Sequence, residues 1–322
     1  MDTAQGDVLL PRADRRLSEE RAKIDGTRAK SSPIVVIRSD LHENNRLSWN
    51  AATVAHNRHK PDQAGFLRGG GSTLFPEEIG LLGAVQGKAV LHLLCNSGQD
   101  TLSIAALGAE VTGVDISDEA IDFARQLSEE SGIVGTFERS DVYPWLEAAR
   151  KEDRRFDTVF CSYGALCWLS DLGAFLRGVN SILKSGGRFV CLEFHPFAMI
   201  FDEQTELKYD YRMAEPLAWD DGIRDYVADS CGGLIPSGPV APLEPFANPH
   251  PCYEFQRGLG DILSAVIQAG LTVREFHEYE YTNGWKPFTE MKSLPGRRWA
   301  MPDGKPSVPL MYGLVAEKAG AH

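Results

Sequence analysis

KAVLHLLCNSGQDTLSIAALGAEVTGVDIS, running from Lys88 to Ser117, is the stretch on which the reading of this chain turns. Val90 to Leu94 is a short apolar run, long enough for a buried strand and too short for a helix. Cys95 to Asp100 carries turn chemistry with Gly98 at its centre. Thr101 to Leu107 is a compact Ala- and Leu-rich helix that Gly108 closes. Ala109 to Val114 reads as a second strand, and Asp115 stands at its carboxyl end. A parallel β-α-β unit with an acid ending its second strand is a nucleoside-binding arrangement. The first turn meets the ligand's chain and the carboxylate accepts from ribose hydroxyls.

Working outward, the pattern repeats. Ser117 is a helix N-cap with Asp118 and Glu119 in the first turn, and Ala120, Ile121, Ala124 and Leu127 line a buried face as far as Gly132. Thr136 to Arg139 is a third strand ending at Ser140-Asp141-Val142, and Phe156 to Tyr163 a fourth. Leu172, Phe175, Leu176, Val179, Ile182 and Leu183 make an amphipathic helical stripe before Gly186-Gly187 and a fifth strand, Arg188 to Phe194, which runs into His195-Pro196. From Pro196 to about Tyr253 the rhythm is lost in a stretch of aromatics, prolines and acids, the place for a substrate cap. Leu259 to Ile267 restores a helix, and Leu271 to Tyr281 and Val308 to Glu317 are two last strands. Having no crossover helix between them, these should pair antiparallel. The expected fold is therefore α/β: a Rossmann-like, seven-stranded, mostly parallel sheet with one antiparallel strand and helices on both faces.

Upstream, residues 1–45 are dense in charge and read as a flexible or oligomerisation arm, with Ile34-Val35-Val36-Ile37 too apolar to leave in water. Residues 46–322 then form the main domain, with a cap insertion at about 196–253. Trp49, Thr53, His56 and His59 lie at helical spacings, and Gly69-Gly70-Gly71 supplies a joint beyond them. His56 and His59 lack a third ligand in a suitable motif, so no metal is expected.

The chain has 322 residues, 43% hydrophobic and 24% charged, with a formal net charge of −12. Those values are globular, and the negative balance argues against nucleic acid as a partner. No apolar run reaches the ~20 residues that span a bilayer and no signal-peptide region is evident, so a cytoplasmic location is expected. The six cysteines show no Cys-x-x-Cys pair and read as reduced thiols.

The turn at Leu94-Cys95-Asn96-Ser97-Gly98 has one glycine, not the three of a nicotinamide-binding fingerprint, and no Gly-Lys-Ser/Thr of a P-loop. The ordered landmarks Gly98, Asp115, Asp141-Val142, Phe156-Asp157 through Gly164, and Gly186-Gly187 resemble the class I S-adenosylmethionine-dependent methyltransferase family. The resemblance covers about Trp49 to Lys318. It departs at the first turn, where His92 replaces an acid and Leu94 and Asn96 replace glycines, so the methionine portion of the cofactor should be held differently. The run from Leu93 to Leu102, with Trp168-Leu169-x-Asp171 and Glu193-x-His195-Pro196, is similar to a bacterial branch that includes natural-product tailoring enzymes such as teleocidin-type C-methyltransferases.

The resemblance implies S-adenosyl-L-methionine as cofactor, S-adenosyl-L-homocysteine as product and no metal. Asp115 would bind the ribose and Ile116 would pack on the adenine. Asp141 would accept from the adenine amino group and the Val142 N–H would reach a ring nitrogen. Leu94, Asn96 and Gly98 would hold the methionine portion, with the Ser162 carbonyl on its ammonium. A small hydrophobic acceptor is expected, facing Trp49, His56, Phe197, Phe201 and Tyr209, with Tyr163 and Trp168 beside the transferred methyl. C-methylation of a prenylated indole alkaloid in secondary metabolism would need aromatic faces near a carbocation, and Tyr163, Trp168, Phe197 and Phe201 are candidates. O- or N-methylation of a small metabolite would instead use a base, His195, with Glu193 orienting it. A non-catalytic scaffold that binds the same cofactor is a further class. A homo-oligomer held through the N-terminal arm is expected, with neither nucleic acid nor membrane as partner.

Overall fold

The computed structural model describes residues 37–238 and 245–320. Most of the N-terminal arm, including Leu17 to Ile24 and Ile34 to Val36, lies outside the described residues. Everything described falls in one unit beginning at Ile37.

Its centre is a seven-stranded sheet built from β1 (Ala89–Leu93), β2 (Glu110–Asp115), β3 (Thr136–Arg139), β4 (Phe156–Ser162), β5 (Leu183–Phe194), β8 (Leu271–Tyr279) and β12 (Met311–Lys318), in the order β3-β2-β1-β4-β5-β12-β8. β1 pairs in parallel with both β2 and β4, so the chain reverses direction of growth there. β12 runs antiparallel to both neighbours, pairing Leu314 with Cys191 on β5 and with Phe276 on β8. It is the single antiparallel strand.

The central strands are apolar on both faces because helices cover both. Leu91, Leu93, Val159, Cys161, Phe189 and Cys191 pack towards one layer. That layer contains α6 (Val142–Lys151), α7 (Leu172–Ile182) and α9 (Leu259–Gln268). Their alternates Val90, Phe160, Val190 and Leu192 pack towards the other, against Leu81 and Leu82 of α3 (Pro76–Leu82) and Ile104 of α4 (Gln99–Ala106). Local chemistry sets the helix ends. Ser117 Oγ accepts from Ala120 N at 3.1 Å to cap α5 (Asp118–Ser131), and Gly132 ends it at φ 73°.

Above the carboxyl ends of the strands lies α1 (Ser39–Arg58), so the boundary drawn at residue 45 falls inside a helix. Its polar residues stitch it to the insertion that follows β5. Asn45 exchanges two hydrogen bonds with the Tyr253 backbone at 2.9 and 2.7 Å. Ser48 Oγ accepts from Ile223 N at 3.0 Å, and His56 Nε2 meets the Arg224 carbonyl at 2.9 Å. A short α2 (Gln63–Arg68) follows α1. Within the insertion, β6 (Leu217–Trp219) pairs with β7 (Cys252–Glu254), and a single-turn α8 (Tyr226–Asp229) packs on α1. The link between β8 and β12 folds into a small antiparallel sheet of β9 (Tyr281–Asn283), β10 (Lys292–Leu294) and β11 (Arg298–Ala300).

Candidate active site

One cavity of about 940 Å³ opens over the carboxyl ends of β1, β2, β3 and β4, under α1 and the insertion. That is near the upper end of the usual range for small-molecule sites, about 300–1,000 Å³.

The floor begins at the first turn. Leu94 and Asn96 both adopt left-handed backbone, at φ 56° and 49°, with Gly98 at 75°. The two residues thus take the conformation that glycine takes without steric cost, and each is disfavoured there by about 1–2 kcal/mol. Asn96 recovers part of this, since its Oδ1 accepts from Ser97 N at 2.7 Å and from Ser97 Oγ at 3.0 Å. The strained turn aims Asn96 N at Asp115 Oδ2, 2.8 Å away, while Ser117 N donates to Asp115 Oδ1 at 2.9 Å. Burial pushes the Asp115 carboxyl up and these backbone donors pull it back down. Each carboxylate oxygen keeps a lone pair for a further donor.

At the end of β3, Asp141 caps α6 through Oδ1, which accepts from Tyr143 N at 3.0 Å. Its Oδ2 lies 2.7 Å from Nδ1 of His42 on α1, and that imidazole stacks on Tyr143 at 5.5 Å. His42 carried no sequence signal, because its partner stands 99 residues away. Leu94, Asn96, Asp115, Ile116, Asp141, Val142 and Ser162 all line the cavity. Gly98 does not. A Cβ there would stand 2.7 Å from both Ala124 Cβ and Phe137, so its lack of a side chain serves the packing of α4 on α5 and β3.

The acceptor-side candidates divide. Tyr163, Trp168, Trp49, His56, Phe201 and Tyr209 line the cavity. Tyr163 (φ 43°) begins a left-handed turn, and its hydroxyl accepts from Asn283 Nδ2 at 3.0 Å. His56 is buried and neutral: burial pushes its imidazole down to about 4, and its ring meets Tyr226 at 4.2 Å. His59 Nε2 lies 2.7 Å from Asp225 Oδ2, so the two histidines fasten α1 to the insertion. Among the described residues no group of three or more His, Cys, Asp or Glu converges on a metal position.

His195 and Phe197 do not reach the cavity. Phe194 is the cavity-facing residue at the end of β5, and strand alternation turns 193 and 195 to the opposite side. His195 Nδ1 accepts from Phe197 N at 3.1 Å and Nε2 lies 3.1 Å from Glu278 Oε1, so the imidazole packs outside the cavity lining. Phe197 instead packs edge-on to Phe201 at 5.4 Å. Glu193 does not orient His195 either. It accepts from the backbone N–H groups of Gly164, Ala165 and Leu166 at 2.5, 2.7 and 2.9 Å and so builds the turn that carries Tyr163 and Trp168.

Known proteins give the same fold. The methyltransferase domain family matches residues 90–187. Among characterised sequences, a ubiquinone/menaquinone biosynthesis C-methyltransferase of Shewanella sp. (strain ANA-3) is 31% identical over 159 residues, 47% of this chain and 62% of that protein. A ubiquinone biosynthesis O-methyltransferase of Xanthomonas euvesicatoria is 35% identical over 102 residues, 32% of this chain and 41% of that one. The matched segment thus spans at most about three fifths of these relatives. Among solved structures, an S-adenosylmethionine-dependent methyltransferase from Mesorhizobium loti superposes with a TM-score of 0.51 at 20% identity, covering 77% of this chain and 99% of that one. Residues 90–187 thus match the methyltransferase domain family, and the sheet around them has the fold of S-adenosylmethionine-dependent methyltransferases.

Proposed function

We propose that this chain transfers a methyl group from S-adenosyl-L-methionine to a small, largely apolar acceptor and releases S-adenosyl-L-homocysteine. One observation carries the reading: Asp115 and Asp141, at the ends of β2 and β3, share a single cavity with the left-handed Leu94–Asn96 turn. Asp115 would take the ribose hydroxyls on its free lone pairs. Asp141, with His42 behind it, would take the adenine amino group between Ile116 and Val142. The first-turn backbone and the Ser162 carbonyl would hold the methionine portion. When bound, the cofactor supplies an electrophilic methyl on a sulfonium, so the protein's tasks are alignment and exclusion of water. The turn that Glu193 builds presents Tyr163 and Trp168 to that end of the cavity, and Phe201, Trp285 and Phe288 add apolar wall.

The finer reading is carbon methylation of a prenylated indole-alkaloid natural product. Aromatic faces around the cavity support it, as does the absence of His195 from the site, since an alkene carbon needs no base before attack. One relative's name, a C-methyltransferase, agrees with carbon as the methylated atom. A hydroxyl acceptor is favoured by a different observation. Glu78 is buried beside Tyr163, its Oε1 has no hydrogen-bond partner, and burial pushes its carboxyl well above the ordinary range. In its ionised form Glu78 would be a strong base for an acceptor proton relayed by Tyr163. A cytoplasmic location and an oligomer held through residues 1–45 belong to the same proposal, and light scattering of the full chain tests the second.

Calorimetry with S-adenosyl-L-homocysteine is the test. Binding in the micromolar range is expected, with Asp115→Ala weakening it by about tenfold to a hundredfold through lost charged hydrogen bonds. No binding at tens of micromolar would sink the assignment. Binding with no methyl transfer to any prenylated indole, phenol or amine would leave the scaffold class standing instead.

A further inference from the structure

Beneath the insertion, one part of the cavity has walls of a distinct kind. Trp49 from α1, Trp168 from the Glu193-built turn, Trp219 from β6 and Tyr226 from α8 pack together around Ala52, Ile223 and Cys252. Trp49 is edge-on to Trp168 at 5.5 Å and to Tyr226 at 6.4 Å, so these rings meet at steep angles and form a box, not a stack. All four line the cavity. A fifth ring, Tyr209, extends the wall from Trp219 at 5.8 Å.

Into the same lining comes Glu254, at the end of β7. The strand is held there by Phe255 N, which donates to the Cys167 carbonyl at 2.6 Å beside Trp168. Glu254 Oε2 is buried without a hydrogen-bond partner, and so is the indole N–H of Trp219. Burial, opposed by the nearby Trp219 and Gln256 side chains, pushes the carboxyl above its usual range. A buried carboxyl oxygen without a hydrogen-bond partner is costly, and a cation beside it would satisfy that oxygen and favour the ionised form. The neighbouring His56, neutral for the reason given above, adds no opposing charge.

We propose that Trp49, Trp168, Trp219, Tyr226 and Glu254 form a subsite for an organic cation, an alkylated ammonium or sulfonium group held on ring faces and paired with the carboxylate. Ring quadrupoles attract such a cation, and desolvation strengthens the attraction. The inference deepens the proposed function, by assigning a charged group to the acceptor or the cofactor, and it rests on that reading only for its role, not for the binding itself.

The probe is phenyltrimethylammonium, with tert-butylbenzene as its uncharged isostere, titrated against the full chain by tryptophan fluorescence and calorimetry. The cation is expected to bind at least about tenfold more tightly than the isostere, and Glu254→Gln to remove that preference while leaving isostere binding unchanged. Trp168→Leu should weaken the cation selectively, with thermal melts confirming that both variants fold. Cation binding that persists with saturating S-adenosyl-L-homocysteine assigns the box to an acceptor ammonium. Displacement by S-adenosyl-L-methionine but not by its neutral product assigns it to the sulfonium. Equal binding of cation and isostere, or a Glu254→Gln protein that keeps the preference, overturns the subsite. A chain that binds the cation and not S-adenosyl-L-homocysteine overturns only the proposed function.

Discussion

Leu94 and Asn96 show how residues other than glycine can hold a left-handed turn at the floor of a cavity. Both hold positive φ without being glycine, and Asn96 offsets its cost by hydrogen bonds to Ser97. Asn96→Gly should therefore change stability by less than about 1 kcal/mol, since relieved strain and lost hydrogen bonds nearly cancel, whereas Asn96→Ala should cost about 1–2 kcal/mol. Urea unfolding of the two variants checks the order, and an alanine variant as stable as the glycine one would contradict it. Asp115 and Asp141 could be placed from the sequence because Asp115 closes the apolar run of β2 and Asp141 caps the helix that follows β3. His195 was not. Its direction depends on whether 194 or 195 faces the cavity, and its Nε2 partner, Glu278, comes from β8, far along the chain. His195→Gln is expected to keep any methyl transfer activity within about threefold, with an unaltered pH profile, while losing about 1 kcal/mol of stability from its buried hydrogen bond. A loss of a hundredfold in kcat would restore the base assignment.

Among elements, the turn after β4 depends on a single side chain. Glu193 satisfies three backbone donors of residues 164–166, and its own carboxyl is raised by burial against their pull. Glu193→Ala leaves those donors unpaired in a buried site and should cost about 3 kcal/mol or more. Because the turn carries Tyr163 and Trp168, the same variant should bind S-adenosyl-L-homocysteine more weakly. Urea titration and calorimetry on one preparation test both. Unchanged stability would mean that the turn holds itself. The strands and helices of the sheet were readable because each buries a periodic apolar face. α1 was harder to place, since its contacts with the insertion are polar ones through Asn45, Ser48 and His56 to partners some 170 to 210 residues on. The small β9–β11 sheet was also missed. Its strands have three residues each, too few for alternation to show, and its hairpin turns on Gly296 and Arg297, both at positive φ.

At the scale of the whole molecule, the cavity is bounded by two histidines that folding holds neutral. His56 joins α1 to the insertion, and His92 lies in β1 with Nδ1 2.9 Å from Thr101 Oγ1 and Nε2 buried without a partner. Burial pushes both imidazoles down from 6.5 to about 4, His56 helped further by the charge of Lys60. A histidine with a depressed folded-state pKa contributes stability that is complete above 6.5 and is lost as the pH falls towards 4, on the order of 3 kcal/mol for each. Glu78 has the opposite sign. Its carboxyl is raised by burial, so its contribution is complete below 4.5 and declines as the pH rises. The melting temperature of the wild type should therefore fall between pH 6.5 and pH 4 less steeply than the two histidines alone would make it. His92→Gln, which removes one titration and leaves Glu78 in place, should flatten that fall, and so should His56→Gln. The measurement is the slope of melting temperature against pH, which does not depend on how stable each variant is at neutral pH. If both variants melt in parallel with the wild type across the window, the imidazoles are not held neutral by the fold, and the cavity that they border is wetter than its burial indicates.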